Sequence, residues 1–140
     1  MNRPLYTTEI LRLAASLSEP RDLEREDGKA ELRSPTCGSR VTLIVQLDEE
    51  RRVAAISQKV QACAFGQASA ALIERHARGR THNEVAETLV ALSRWLADDQ
   101  CDDCEWPDIE VLAPARSKKA RHGAILLPFR ALLAAIEAAK

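Results

Sequence analysis

Two cysteines, Cys37 and Cys63, are the residues of this chain best suited to chemistry. They bracket a short strand-like segment, and each follows an extended run and stands among small residues, where a turn would expose the sulfur atom. Far downstream, His122 lies between Arg121 and Gly123 and offers an imidazole as a third group. Thiolates and imidazoles bind zinc, iron and iron–sulfur clusters, and a thiolate also accepts sulfur as a persulfide. The pattern therefore predicts a metal-binding or sulfur-carrying site assembled from distant parts of the chain.

A second pair of cysteines, Cys101 and Cys104, stands in the acidic stretch 98–108. Two sulfurs at this spacing chelate a metal or close a small disulfide loop. The simpler interpretation is a solvated loop with exposed thiols, whose acidic neighbours raise the thiol pKa and keep the sulfurs protonated. We expect this pair to be peripheral, with Cys37 and Cys63 forming the primary site.

The composition is that of an ordinary globular domain, and we expect residues 1–140 to form one domain. The net charge of -1 and the 4% of aromatic residues argue against nucleic acid as a partner. The longest apolar stretch, residues 123–129, is too short to span a membrane, and the N-terminus lacks a hydrophobic leader, so we expect a cytoplasmic protein. In a reducing compartment, four cysteines are better explained as ligands, nucleophiles or buried residues than as disulfides.

The first half of the chain predicts one helix followed by three strands. Apolar residues at helical spacing indicate a helix over residues 5–18, which Pro20 ends. A charged segment with a turn at Asp27-Gly28 follows. Extended runs then predict strands over residues 30–34, 41–47 and 53–60, with a hairpin loop between the last two.

The second half of the chain predicts helices. One covers residues 65–77, and a capping box of Thr81 and Glu84 starts the next. Pro114 marks a break, and a last helix covers residues 123–139 with Pro128 near its first turns. Strands followed by helices favour an α+β fold, in which an N-terminal helix and several C-terminal helices cover a three-stranded antiparallel sheet.

The local sequences around both cysteines resemble those of the NifU N-terminal, IscU and SufU family of iron–sulfur cluster assembly scaffolds. The family motif Pro-x-Cys-Gly-Asp is matched by Pro35-Thr36-Cys37-Gly38-Ser39. The family segment of Gly-Cys and small residues opening a helix is matched by Ala62-Cys63 and Ala68-Ser69-Ala70-Ala71. The opening also fits, since Tyr6 and Pro20-Arg21-Asp22 are similar to the family's Tyr and Asn-Pro-Arg-Asn. The long interval between Cys63 and Ala124 is typical of the SufU branch.

This resemblance implies an IscU/SufU-like fold and a non-enzymatic role as a scaffold or sulfur acceptor. Cys37 and Cys63 would bind iron, an iron–sulfur cluster or zinc. The implied partners are a cysteine desulfurase and apo-proteins that accept clusters.

Three departures from the family pattern affect the implied site. Ser39 replaces the aspartate after Cys-Gly, and Ala124 takes the position of the third cysteine. The chaperone-recognition sequence Leu-Pro-Pro-Val-Lys of IscU proteins is absent, with residues 112–116 in its place. His122, two residues before Ala124, is a candidate replacement ligand. The alternative is a degenerate member that serves as a zinc-binding or regulatory interaction module.

Overall fold

The computed structural model describes residues 6–35, 38–98, 100–101 and 103–139. Three strands form one antiparallel sheet in the order β1-β2-β3: β1 (Gly28–Arg33), β2 (Arg40–Leu47) and β3 (Val53–Gln61). One helix precedes the sheet and three follow it: α1 (Thr8–Ala15), α2 (Ala64–His76), α3 (His82–Ala97) and α4 (Lys119–Ala138). A 3-10 helix (Ile109–Ala115) connects the last two. The predicted α+β fold is confirmed.

The sheet buries one face against the helices. In β2, buried residues alternate with half-buried ones, as the two-residue repeat of a strand requires. The buried residues are Val41, Leu43, Val45 and Leu47. Helix α4 lies across this face and contacts β1, β2, α2 and α3. Half of the twenty α4 residues are buried, including every residue from Ala124 to Phe129, so this part of the helix is apolar around its whole circumference.

The aromatic core lies between α2, α4 and the segment before the 3-10 helix. Trp106 and Phe129 pack edge to face with ring centroids 5.2 Å apart. The indole Nε1 of Trp106 donates a hydrogen bond to the Leu72 carbonyl oxygen at 3.1 Å. This contact satisfies the polar group of a buried tryptophan and fixes the connection before the 3-10 helix against α2.

The capping box predicted for the start of α3 is confirmed, whereas α1 spans Thr8–Ala15 rather than the predicted residues 5–18. Thr7 caps α1, and Thr81 and Glu84 form the capping box of α3. Gly79, which follows α2, has a φ of +86°, a conformation that favours glycine. Across the described ranges, no helix combines the length and apolarity needed to cross a bilayer.

Two further predictions about helix boundaries were wrong. Helix α4 begins at Lys119 rather than at residue 123, so Pro128 lies in its middle. The first turn was missed because it is exposed and charged, and apolar periodicity starts only at Ala124. Pro114 was predicted to mark a break, but it lies inside the 3-10 helix.

Gly28 was predicted to form a turn, and it instead begins β1. A Cβ atom at this position would lie 1.9 Å from the carbonyl oxygen of Ala135, so the glycine allows α4 to approach the strand. The preceding Asp27 accepts a hydrogen bond from the Leu47 backbone N–H at 2.7 Å, which fixes the entry into the strand.

Candidate functional site

One end of the sheet carries both chain connections that the sequence identified. Arg33 of β1 pairs with Arg40 of β2, which in turn pairs with Gln61 of β3. The β1–β2 loop, residues 34–39, and the connection from β3 to α2 therefore leave the sheet at the same end. Cys37 belongs to this loop in sequence and lies outside the residues that the structure describes.

The β1–β2 loop is tightly closed at its base. The Ser34 N–H donates to the Ser39 carbonyl oxygen at 2.9 Å, and the Gly38 N–H donates to the Ser34 carbonyl oxygen at 3.1 Å. Gly38 has a φ of +72°, which explains the glycine at this position. Both serines are buried. Ser39, in the position of the family aspartate, thus lies in the closed base of the loop.

Cys63 is the N-cap residue of α2. Its backbone is extended, and its side chain makes no hydrogen bond to the helix. Its carbonyl oxygen accepts the first helical hydrogen bond, from the Gln67 N–H at 2.9 Å. The thiol is free and half-buried. The first N–H groups of a helix lack internal partners and carry partial positive charge, so an anion bound at this position would be stabilised.

Ala124 packs beside the first turn of α2. A Cβ atom on Gly66 would lie 3.6 Å from the Ala124 Cβ and 3.3 Å from its carbonyl oxygen. The Ser69 hydroxyl donates to the Ile125 carbonyl oxygen at 2.6 Å, which ties α4 to α2 at the same level. The position of the missing cysteine is therefore beside Gly66, which follows Cys63 by about one helical turn along α2.

Ala124 was expected at the N-terminus of its own helix, and that expectation was wrong. It lies in the second turn of α4, because α4 begins at Lys119. The helix N-terminus beside it is that of α2. Sequence reasoning also missed Gly66, whose absent side chain makes this close packing possible; a lone glycine early in an alanine-rich helix was the available signal.

His122 joins two elements. Its Nε2 lies 3.0 Å from the Ala115 carbonyl oxygen and 3.1 Å from that of Arg116. Because both partners are acceptors, Nε2 carries the hydrogen and donates, which leaves Nδ1 of a neutral ring as the nitrogen with a free lone pair. The imidazole thus holds the first turn of α4 against the end of the 3-10 helix. A ligand role for His122 stays a prediction and requires Nδ1.

The expectation of an exposed loop was wrong for Cys104. This residue is 9% exposed and packs in the hydrophobic core. Burial raises the pKa of its thiol, and the nearby Cys101 and Glu105 add smaller increases. The thiol pKa of Cys104 is raised, as predicted, but the main cause is the loss of contact with water rather than the charge of the acidic neighbours. Cys101 is half-buried, and its thiol lies 3.6 Å from an oxygen of Asp103.

Arg116 holds the backbone next to Cys101 through hydrogen bonds. No motif or spacing in the sequence predicted this role. Its guanidinium donates to the carbonyl oxygens of Trp95, Asp98 and Cys101 at 2.6–2.7 Å. The same group lies 4.5 Å from the centroid of the Trp95 ring. These contacts satisfy carbonyl groups at the end of α3 and hold the following segment against it.

The donor set of this region is incomplete for a metal within the described ranges. In those ranges, which do not include Cys37, no three His, Cys, Asp or Glu side chains lie close enough together to share a metal ion. Zinc and [2Fe–2S] clusters take four strong ligands. Among the described residues, this end of the sheet supplies Cys63, and Cys37 and His122 are the further ligands that the sequence predicts.

Comparisons with known proteins give a consistent result. The model of the NifU-like N terminal domain matches residues 5–104. The crystal structure of a nitrogen-fixing NifU-like protein (N-terminal) from Brucella abortus has a TM-score of 0.84 and 30% identity, with 95% of this chain and 92% of that chain covered. An iron–sulfur cluster assembly scaffold for the SUF system from Fervidobacterium islandicum has a TM-score of 0.79 and 20% identity, with 94% and 96% covered. No curated protein sequence matches significantly.

Proposed function

Because this chain belongs to the NifU-like N-terminal domain family, we propose that it is a scaffold or sulfur acceptor in iron–sulfur cluster assembly. The fold it shares with the Fervidobacterium scaffold is consistent with this role. Such a protein holds a cargo and passes it on, so the proposal includes no catalytic turnover. The cargo is iron, an iron–sulfur cluster or sulfur, with zinc as a further metal that the same thiolates bind.

The observation that carries the proposal is the common end of the sheet. Cys63 caps α2 where the chain leaves β3, and the β1–β2 loop begins and ends beside it. Cys37 is bonded to Gly38 in that loop, and neighbouring strands lie about 4.8 Å apart. We therefore expect the two sulfurs to approach within roughly 4–8 Å, a separation that a shared metal with Zn–S bonds of about 2.3 Å allows after modest relaxation.

Sulfur acceptance follows ordinary thiol exchange. A cysteine desulfurase carries a persulfide on its own cysteine, and the thiolate of Cys63 or Cys37 attacks the outer sulfur. One S–S bond forms on this protein, the S–S bond of the donor breaks, and the donor cysteine leaves as a thiolate. The step needs no further oxidant. To become the sulfide of a cluster, this persulfide sulfur would take two electrons from an external reductant, which returns the cysteine to a thiolate. Cys37 and Cys63 would then hold iron, and an apo-protein would accept the finished cluster.

A second candidate function is a zinc-binding or regulatory interaction module. Two observations favour it: Ala124 is buried beside Gly66, and Ser39 is buried in the loop base, so neither family ligand position carries a metal donor of comparable strength. Cys37 and Cys63 supply two of the four ligands that a zinc site takes.

Incubation experiments on anaerobically purified protein distinguish the two functions. We expect protein incubated with iron and sulfide to bind both and to develop visible absorption. Incubation with a cysteine desulfurase and free cysteine should add the mass of one sulfur atom to Cys63 or Cys37. A colourless protein that carries zinc and accepts no sulfur would favour the second function. Protein that gains neither iron nor sulfur would refute the scaffold proposal.

A further inference from the structure

A cleft of about 380 Å³ lies beside the outer edge of β3. Its walls are the strand edge, the end of α2 and the segment that follows α1. Three arginines line it: Arg21, Arg75 and Arg78. All three are exposed, and we refer to this feature as the arginine cleft.

Two of these arginines are anchored to the strand edge. Arg78 donates from Nε to the Ala54 carbonyl oxygen at 3.2 Å, and Arg21 donates from Nε to the Ile56 carbonyl oxygen at 3.4 Å. The Arg21 backbone N–H also donates to the Ser57 hydroxyl at 2.9 Å. These contacts cover part of an edge that lacks a neighbouring strand. They use Nε, so the forked terminal nitrogens of Arg21 and Arg78 remain for another partner.

Among the residues that the structure describes, no carboxylate forms an ion pair with the three arginines of the arginine cleft. The ion pairs within the described chain involve other arginines and histidines, and none involves Arg21, Arg75 or Arg78. Of the two acidic residues in the lining, Glu74 is already occupied: its oxygens accept hydrogen bonds from the Ser18 hydroxyl and N–H at 2.6 and 3.1 Å. The lining thus carries three arginines and two glutamates, Glu19 and Glu74, so its formal charge is +1, and the terminal nitrogens of Arg21 and Arg78 are open to an anionic group.

We propose that the arginine cleft docks an extended acidic segment of a partner protein. Guanidinium groups bind carboxylates through paired hydrogen bonds, and exposed arginines beside a cleft are accessible to a macromolecule. The anchoring carbonyls belong to residues two apart, roughly 7 Å along the strand. An extended peptide repeats its side chains on one side at the same spacing, so acidic residues at positions i and i+2 match Arg21 and Arg78.

The proposal rests on the proposed function, because it places a cargo-exchanging partner near Cys63. A second cleft, lined in part by Gln61 and Gln67, shares Ser18, Glu19 and Gln58 with the first. The two clefts thus follow β3 toward its end. Ile56 and Cys63 are seven residues apart, so a partner on the arginines lies within about 23 Å of the thiol.

The test is an NMR titration with a blocked pentapeptide of sequence Ala-Glu-Ala-Glu-Ala. We expect saturable shifts of the Arg21 and Arg78 side-chain Nε–H signals and of the backbone amides of residues 54–57. The Arg21→Ala/Arg78→Ala variant should bind the peptide about tenfold more weakly or worse, as expected when charge-assisted pairs are lost. Arg94→Ala/Arg130→Ala removes two exposed arginines of α3 and α4 and should leave the affinity unchanged.

Three outcomes would overturn the proposal: no saturable shifts, equal binding by the glutamine version of the peptide, or glutarate binding as tightly as the peptide, which would indicate a small-anion site. Anaerobic metal binding and sulfur acceptance are measured on the same samples. If both are intact without peptide binding, only the docking proposal fails. If the parent binds peptide but neither metal nor sulfur, the proposed function fails and the docking surface stands.

Discussion

At the scale of single residues, Ala124 and Gly66 limit the number of ligands that the chain offers beside Cys63. Both are small, and Ala124 is 1% exposed. Ala124→Cys places a thiol beside Gly66, which follows Cys63 by about one helical turn, and the nearby N-terminus of α2 favours a thiolate. We expect the variant to bind Zn²⁺ at least about tenfold more tightly than the parent, as a third thiolate ligand would. Competition with a zinc chelator under anaerobic conditions measures the change.

Ala131→Cys is the matched control for that variant. Ala131 is also a buried alanine of α4 and lies about two turns further along the helix. We expect its replacement to leave zinc affinity unchanged. Equal affinities for parent and Ala124→Cys would mean that Ala124 does not take the position of the third family cysteine, or that His122 already completes the site.

Cys104 provides a second prediction at this scale. Its thiol is buried and its pKa is raised, whereas Cys101 is more accessible. Alkylation requires an accessible thiolate, so at about pH 8 we expect Cys104 to react with iodoacetamide at least about tenfold more slowly than Cys101. Peptide mapping by mass spectrometry gives both rates. The difference should disappear in urea, and equal rates in the folded protein would contradict the burial of Cys104.

The sequence identified Cys63 at the start of a helix, but it did not reveal the surroundings of the other candidates. The carbonyl partners of His122 belong to the 3-10 helix, and the burial of Cys104 comes from packing in the core. Both depend on contacts between distant segments, which neither spacing nor composition specifies. The acidic residues around Cys104 predicted a solvent-exposed thiol, but tertiary packing buries it in the core.

At the scale of elements, Gly28 sets the contact between β1 and α4. In Gly28→Ala the new methyl would collide with the backbone oxygen of Ala135, and backbone cannot rotate away as a side chain does. We expect the free energy of unfolding to fall by about 2–3 kcal/mol, a typical cost of overpacking. Urea denaturation of Gly28→Ala measures this. Lys29→Ala, at the exposed next position, should change stability by less than about 0.5 kcal/mol, and a similar loss in both would refute the close contact.

The capping box of α3 predicts a pH dependence. Glu84 accepts hydrogen bonds from the Thr81 N–H and hydroxyl, and these bonds lower the pKa of its carboxyl group below 4.5. A lowered pKa stabilises the fold at pH above 4.5, and this stabilisation is lost as the pH falls through the folded-state value. Glu84→Gln should therefore lose less stability than the parent on acidification below pH 4.5, as measured by urea unfolding across that range.

Glu87→Gln is the matched control, since Glu87 is an exposed glutamate in the same helix. We expect this variant to follow the acid dependence of the parent. If both variants show the same flattening, the effect comes from net charge rather than from the capping box.

Elements with strong local signals were predictable, and their boundaries were less so. Strand β2 alternates in burial as its apolar sequence indicates, and the loop between β2 and β3 lies where charged residues interrupt the pattern. The start of α4 was missed because its first residues face solvent, where hydrophobic periodicity carries no information. Gly28 was misassigned because its role is the approach of a helix that lies far along the chain.

At the scale of the whole molecule, the order of one helix, three strands and later helices was sufficient to predict the α+β architecture. It also placed the cysteine-bearing connections at turns of the sheet. The arginine cleft could not be predicted, because Arg21 and Arg78 are 57 residues apart and meet only through the edge of β3. Short sequence motifs were sufficient to identify the thiols, whereas the arginine cleft became visible only in the folded structure.

The central claim is that Cys37 and Cys63 form the cargo-binding site. The most direct test compares two double variants for anaerobic binding of zinc and iron: Cys37→Ser/Cys63→Ser, and Cys101→Ser/Cys104→Ala, in which alanine suits the buried position. We predict that the first variant loses metal binding and that the second retains the affinity of the parent. Loss of the metal from the second variant with retention by the first would contradict the site assigned to the end of the sheet.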